Sequence, residues 1–287
     1  MTSNPLQGFF RKPKFAITLP SRGKWYPKKS LNSTDGTVEV FAMTAADDTR
    51  FKTNEVLISH TATYDLIRSC VPQIAEPENM PVVDLDAVIL SIRRASYGNQ
   101  MKFRVLVPNT TLERMLDLDI EQMVNSLANV GESWDEELNI QDGDLSMTLT
   151  INPLPLKNMF AVTRQLIKQQ QIAENISKQD NDNEEKIDAM DQQLKTLSNI
   201  GVNTVVEGIR SIRCGDYFTD RPSDIRQFIQ QIDLEYFNAI RKHIEGQKKL
   251  SQFATVNCVA TPEEAAAGAP DSWQATVEFN LTNFFGE

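Results

Sequence analysis

Alternating apolar and polar positions near the N-terminus predict β-strands. Residues 15–19 alternate up to Pro20, and residues 38–43 alternate again after the pair Asp35-Gly36. Because Asp-Gly tolerates positive φ, this pair is typical of a hairpin turn. Residues 15–43 are therefore predicted to be rich in β-structure.

Two further runs have the period of a strand, at residues 102–107 and 146–152. In the second run Met147, Leu149 and Ile151 occupy one face. We expect both strands to pair with the N-terminal β-elements.

Two helices are predicted between these strands. The first extends from about Ser59 to Cys70, because Pro72 biases the residue before it away from helical backbone. The second follows Asp84, whose side chain is expected to cap it by accepting a hydrogen bond from an early backbone N–H. Gly98 is expected to end this helix. Its apolar stripe consists of Leu85, Val88, Ile89 and Ile92.

After Pro155 the apolar residues are spaced by three and four, which predicts long helices. One heptad seam runs through residues 159–176 and a second through residues 187–197, and residues 178–186 between them contain no apolar residue. This pattern predicts a helical hairpin with a charged tip. Two alternatives stay open for the seams: the two helices bury them against each other, or the seams form a homo-oligomer.

The C-terminal part is predicted to contain one more helix and two short strands. The amphipathic helix starts at about Pro222 and extends to Ile240. The strands span residues 253–259 and 275–281, and a loop rich in Ala, Glu, Gly and Pro joins them over residues 261–271.

These elements predict an α+β fold. A β-rich N-terminal part with two helices precedes a mainly helical lobe with the helical hairpin, and a short β-hairpin follows. The predicted division is a flexible arm at residues 1–14, an α+β domain at 15–153, the helical lobe at 154–250, and a β-hairpin with a Phe-Phe tail at 251–287.

Composition narrows the function classes. The 39 acidic and 29 basic residues give a net charge of −10, which argues against a dedicated nucleic-acid binder because phosphate needs a basic face. The three isolated cysteines fit a reducing compartment. With no signal-peptide or membrane-spanning pattern, we expect the chain in the cytoplasm of the cell that makes it and not in a membrane.

Residues for catalysis or metal binding are scarce. The chain has only two histidines, His60 and His243, and no Cys-x-x-Cys pair. It also has no glycine-rich phosphate loop. Acidic pairs such as Asp47-Asp48 are expected in helix caps and turns. We therefore predict no enzyme activity, no cofactor, no metal site and no small-molecule substrate.

The stretch Arg22-Gly-Lys-Trp-Tyr-Pro-Lys-Lys29 is the strongest candidate for partner binding, because Arg, Trp and Tyr often anchor protein interfaces. The predicted contact residues here are Arg22, Lys24, Trp25 and Tyr26. Two alternatives are a surface hairpin whose aromatic rings cover the chain's own core, and a site that stacks single-stranded nucleic acid. The terminal pair Phe284 and Phe285 is expected to fill a pocket in the same chain or in a partner.

Several of these motifs resemble the baseplate hub and hub-assembly proteins of T-even-type phages, which have contractile tails. The matching pieces are Leu19-Pro-Ser-Arg-Gly-Lys-Trp-Tyr-Pro27, residues 38–48, Ile67-Arg-Ser-Cys-Val-Pro72, residues 84–98, Ile151-Asn-Pro-Leu-Pro155 and the Phe-Phe ending.

The resemblance implies a late viral protein that is either a hub subunit or a hub-assembly factor. Its partners would be other hub or tail proteins. It would be found in the host cytoplasm during assembly and, if retained, in the tail baseplate of the virion. A tail-associated lytic enzyme and a single-stranded nucleic-acid-binding phage protein are the alternatives.

Overall fold

A computed structural model describes residues 10–52, 60–178, 183–251 and 255–275. The α+β fold class is confirmed, since helices and several small antiparallel sheets occur together. The chain forms two compact units, one of residues 1–132 with 251–287 and the other of residues 133–250.

The first unit begins with an antiparallel strand pair, β1 (Pro13–Thr18) and β2 (Thr37–Phe41). Ile17 pairs with Val38, and Phe15 pairs with Val40. Val38 and Val40 are fully buried and lie on one face of β2, as alternate residues of a strand do.

Five helices follow in chain order. The last of them ends at Ser133, one residue beyond the end of this part of the first unit. They are α1 (Ala45–Lys52), α2 (His60–Cys70), α3 (Leu85–Tyr97), α4 (Ile120–Ser126) and α5 (Val130–Ser133). The two predicted helices are confirmed as α2 and α3. The latter is the central helix of the unit, because nearly every residue from Leu85 to Ile92 is buried. Gly98 ends α3 with a φ of 95°.

The predicted partners of both later strands are wrong. Strand β3 (Gln100–Leu106) pairs with β4 (Glu113–Asp119), a strand that the periodicity did not reveal. The short connection through Asn109, with a φ of 61°, makes β4 the nearest partner, and a short loop has the lower closure entropy.

In the second unit, β5 (Glu137–Asp142), β6 (Leu145–Ile151), β7 (Ile209–Cys214) and β8 (Tyr217–Thr219) form an antiparallel sheet in that order. Strand β6 is the one expected to pair with the N-terminus. It lies between β5 and β7 instead.

The predicted hairpin is present as α6 (Leu156–Lys178) and α7 (Asn183–Gly208). Residues 179–182 of its predicted charged tip lie outside the described residues. The single amphipathic helix expected from Pro222 to Ile240 is two helices, α8 (Pro222–Gln231) and α9 (Leu234–Lys248). Ile232 and Asp233 have extended backbone, and they separate the end of α8 from the start of α9.

One face of the sheet in the second unit packs against α7, α8 and α9. The buried side chains of this core are aliphatic: Leu149, Ile151, Val205, Val206, Ile209, Ile212, Ile225, Ile229, Ile240 and Ile244. Trp134 adds a hydrogen bond from its indole N–H to the carbonyl of Ile151, at 3.0 Å.

The chain returns to the first unit with β9 (Val256–Val259), α10 (Pro262–Ala266) and β10 (Ser272–Ala275). Strands β9 and β10 are antiparallel, which confirms a short C-terminal β-hairpin. The second strand begins at Ser272 and not at residue 275, and residues 276–281 of the predicted strand lie outside the described residues. The segment between them was expected to be a loop, but it contains α10. A capping box between Thr261 and Glu264 stabilises that helix.

None of the helices in the described ranges is long and apolar enough to span a membrane.

Candidate protein-protein interface

The segment between β1 and β2, residues 19–36, is called the aromatic loop here. The amide of Leu19 donates to the carbonyl of Gly36 at 2.9 Å and extends the strand ladder into the loop. Arg22, Trp25 and Lys29 have φ values of 53°, 65° and 75°. Such backbone persists only where the surroundings determine it, and it clusters at functional sites.

Asp84 anchors the aromatic loop from the start of α3. Its carboxylate is fully buried and accepts hydrogen bonds from the Ser21 amide at 2.7 Å, the Ser21 hydroxyl at 2.6 Å and the Tyr26 hydroxyl at 2.9 Å. The prediction that Asp84 caps α3 through its side chain is wrong, because no such capping bond is made. The side chain is engaged by the loop instead.

Burial dominates the electrostatics of this anchor. It raises the pKa of Asp84 to about 6, although the bonds from Ser21 and Tyr26 act in the opposite direction. The pKa of Tyr26 is raised well above its ordinary value, first by burial and then by the charge of Asp84. Tyr26 therefore stays protonated and donates to Asp84.

Two glycines let the loop pack closely on its own unit. A Cβ at Gly36 would lie 2.4 Å from the carbonyl carbon of Arg22, and a Cβ at Gly131 would lie 2.7 Å from the carbonyl oxygen of Pro20. The amide of Gly131 donates to that same oxygen at 2.8 Å. Backbone contacts thus fix both ends of the loop.

The four predicted contact residues of the loop differ in what they present to solvent. Arg22 is exposed and forms an ion pair with Glu132 at 2.6 Å. Lys24 is exposed, donates to the carbonyl of Gly131 at 2.7 Å and lies 5.8 Å from the ring of Trp25. Trp25 and Tyr26 are half-buried. The loop therefore shows solvent a cationic surface and part of two aromatic rings.

Lys28 and Lys29 follow in the same loop and are exposed. Residues 22–29 contain four cations and no acidic residue, in a chain whose net charge is −10. This local charge suits an acidic protein surface. The other two predicted contact residues, Phe284 and Phe285, lie outside the described residues.

Sequence reasoning missed Asp84 and Ser21 as the centre of this site. They are 63 residues apart, and no local pattern links a loop serine to a helix-start aspartate. Gly131 was also missed, since a close backbone approach leaves no signal beyond the glycine itself.

The described residues offer no group of three or more His, Cys, Asp and Glu side chains that could hold a metal ion. Burial raises the pKa of the Cys70 thiol to about 11, so it is a neutral thiol near pH 7 and a weak nucleophile.

Comparison with known protein families identifies the family of this chain. A family model described as the T4 bacteriophage base plate protein matches residues 12–267. The chain belongs to this family of baseplate proteins. A search of curated proteins found no match, and a search of solved structures found none either. The aromatic loop and its Asp84 anchor lie within the matched residues of this baseplate protein.

Proposed function

We propose that this baseplate protein acts in the central hub of the baseplate, as a hub subunit or as a factor that assembles the hub. It works through protein-protein contacts and not through catalysis. Its partners are other hub or tail proteins, and it meets them in the host cytoplasm while the tail is built.

The observation that carries this proposal is the anchored aromatic loop. Flexible contact segments lose conformational entropy on binding, and a segment held in its bound form avoids that loss. Asp84 accepts three hydrogen bonds from the loop, and Gly36 and Gly131 let the loop backbone pack closely. The loop therefore has the property expected of a preorganised docking element.

The chemistry of the loop selects its partner surface. The exposed cations around Trp25 favour an acidic patch with an apolar or aromatic centre. Arg22 is already paired with Glu132, so Lys28 and Lys29 are the residues we assign to direct charge contacts. Trp25 contributes the apolar contact at the edge of the loop.

The Phe-Phe ending is proposed as a second contact. Phe284 and Phe285 would fill a pocket of a partner or of this chain. Deleting residues 284–287 then weakens hub assembly while the shortened protein still folds.

The loop is tested with the double variant Lys28→Glu, Lys29→Glu in infected cells that lack the wild-type chain. We expect loss of hub assembly, which is measured by the sedimentation of baseplate intermediates. A matched control is Arg241→Glu, Lys242→Glu on α9, which reverses two adjacent exposed cations outside the loop. Normal hub assembly with both double variants would refute the role of the loop.

A further inference from the structure

The middle of the helical hairpin exposes a group of large apolar side chains. This hairpin patch consists of Leu166, Ile167, Leu194 and Leu197, whose exposed fractions are 44%, 48%, 65% and 37%. Three of the four belong to the heptad seams. These three seam residues are therefore not buried in the contact between α6 and α7.

Polar side chains lie where a self-contained hairpin would place leucines. Gln169 and Gln193 are half-buried, and the Gln193 amide donates to the carbonyl of Gln169 at 2.8 Å. This bond places Gln193 of α7 level with Gln169 of α6. A hairpin with glutamines inside and leucines outside leaves an apolar surface that a neighbour can cover.

The face of α7 that carries the patch continues toward the base of the hairpin. Leu194, Leu197 and Gly201 follow one another at spacings of three and four, so they share one face. A Cβ added at Gly201 would meet nothing within 4 Å. The space above this face is open, and a glycine lets a second helix approach closely.

The patch lies at the midpoint of the hairpin. Helix α6 has 23 residues, which is about 35 Å, and its middle residue is Ile167. Because Gln169 is level with Gln193, the patch residues of both helices lie within about one helical turn of that middle. A two-fold axis at this level would place patch against patch.

Basic and acidic residues are unevenly distributed along the sequence of the hairpin. The basal part, residues 156–170 and 193–208, has four basic residues and one acidic residue. The distal part of the two helices, residues 171–178 and 183–192, has five acidic and two basic residues. Two hairpins that run in opposite directions would bring the acidic distal half of each beside the basic half of the other.

We propose that two copies of this chain associate through their hairpins, in opposite directions, to form a four-helix bundle centred on the hairpin patch. The contact is isologous, so the same residues serve on both copies. Long antiparallel helices with apolar middles are the usual components of such bundles. This inference does not rest on the hub assignment.

The test is sedimentation velocity on the purified full chain. The wild type is expected to be a dimer at micromolar concentration. The double variant Leu166→Lys, Leu194→Lys is expected to be a monomer, with a dissociation constant raised by more than about 100-fold, because two leucines per copy are lost from the interface. Circular dichroism shows whether the variant keeps its helices.

The matched control is Leu234→Lys, which makes the same change at a leucine that is 72% exposed on α9. It should remain dimeric. A wild type that is monomeric up to about 100 times that concentration, or a double variant that still dimerises, overturns the proposal. A monomeric wild type would assign the patch to a helix of another protein.

The opposite direction of the copies is tested with Arg164→Glu, an exposed residue of the basal half. In the antiparallel bundle this change places a carboxylate near the partner's acidic half, and we expect dissociation to rise about tenfold. A parallel pair would bring like basic halves together, so the same change would tighten it. Tighter association would therefore overturn the antiparallel arrangement.

Discussion

Replacing Asp84 by asparagine tests whether the side chain that anchors the aromatic loop is a buried, ionisable carboxylate. The new carboxamide keeps one oxygen for the Ser21 amide and offers its NH₂ group to the hydroxyl of Ser21 or Tyr26, which can both accept as well as donate. The change therefore leaves the hydrogen bonds largely in place. It removes the negative charge from a fully buried position.

The magnitude follows from the pKa of Asp84. Burial raises it from 3.8 to about 6, a difference that corresponds to about 3 kcal/mol. Because the folded pKa lies above the unfolded pKa, the folded protein holds the proton more tightly. The stabilisation by protonation is complete below the unfolded pKa and is lost as the pH rises through about 6.

The asparagine side chain is neutral at every pH and does not lose this contribution. The free energy of unfolding of Asp84→Asn, relative to wild type, should therefore rise by about 3 kcal/mol between pH 3 and pH 7. Any weakening of hydrogen bonds adds an offset of about 1–2 kcal/mol that does not depend on pH. Asp86, whose pKa burial also raises to about 6, remains in both proteins and cancels in the difference.

The assay is urea unfolding at a series of pH values, followed by tryptophan fluorescence. Asp117→Asn is the control, because Asp117 is an exposed aspartate on β4. Parallel pH profiles for wild type and Asp84→Asn would refute the view that Asp84 is a buried, charged anchor of the loop.

Two local features give further predictions. Gly36→Ala should lower the free energy of unfolding by more than about 2 kcal/mol, because its Cβ would meet the Arg22 backbone. Gly143→Ala, also at positive φ but with nothing within 4 Å, should lower it by about 1 kcal/mol in the same urea titration. Equal losses would contradict the close packing of the loop. Thr261→Ala should lower it by about 1 kcal/mol, since the capping box with Glu264 is lost, and an unchanged urea midpoint would contradict that.

Elements with local signals were predictable from the sequence. The ends of α2 and α3 are marked by Pro72 and Gly98, and their apolar stripes have a clear period. The helical hairpin was predictable because residues 178–186 contain no apolar residue. In each case neighbouring residues carry the information.

Features that depend on distant residues were not predictable. Strand β6 pairs with β7, across the whole hairpin, and periodicity alone does not select among strands of similar pattern. The break between α8 and α9 was missed because the apolar spacing continues through Ile232. Only the extended backbone at Asp233 shows the new helix start.

The candidate interface was likewise predictable only in part. The composition of the aromatic loop drew attention to Arg22, Lys24, Trp25 and Tyr26, but composition does not show what each side chain contacts. The hydroxyl of Tyr26 is bound to the buried Asp84 and is not available to a partner. Exposure and partners follow from tertiary packing, which the local sequence does not contain.

If this baseplate protein acts in the hub as proposed, it is present in the hub while the hub is built. The most direct measurement is quantitative mass spectrometry of hub-containing assembly intermediates, separated by sedimentation from infected-cell lysate, with purified virions measured alongside. We predict that the chain is present in the hub fractions at a fixed ratio to the hub proteins; its presence or absence in virions then separates a retained subunit from an assembly factor. Complete hubs formed without the chain, with the chain found only as free protein and absent from virions, would contradict a role in the hub.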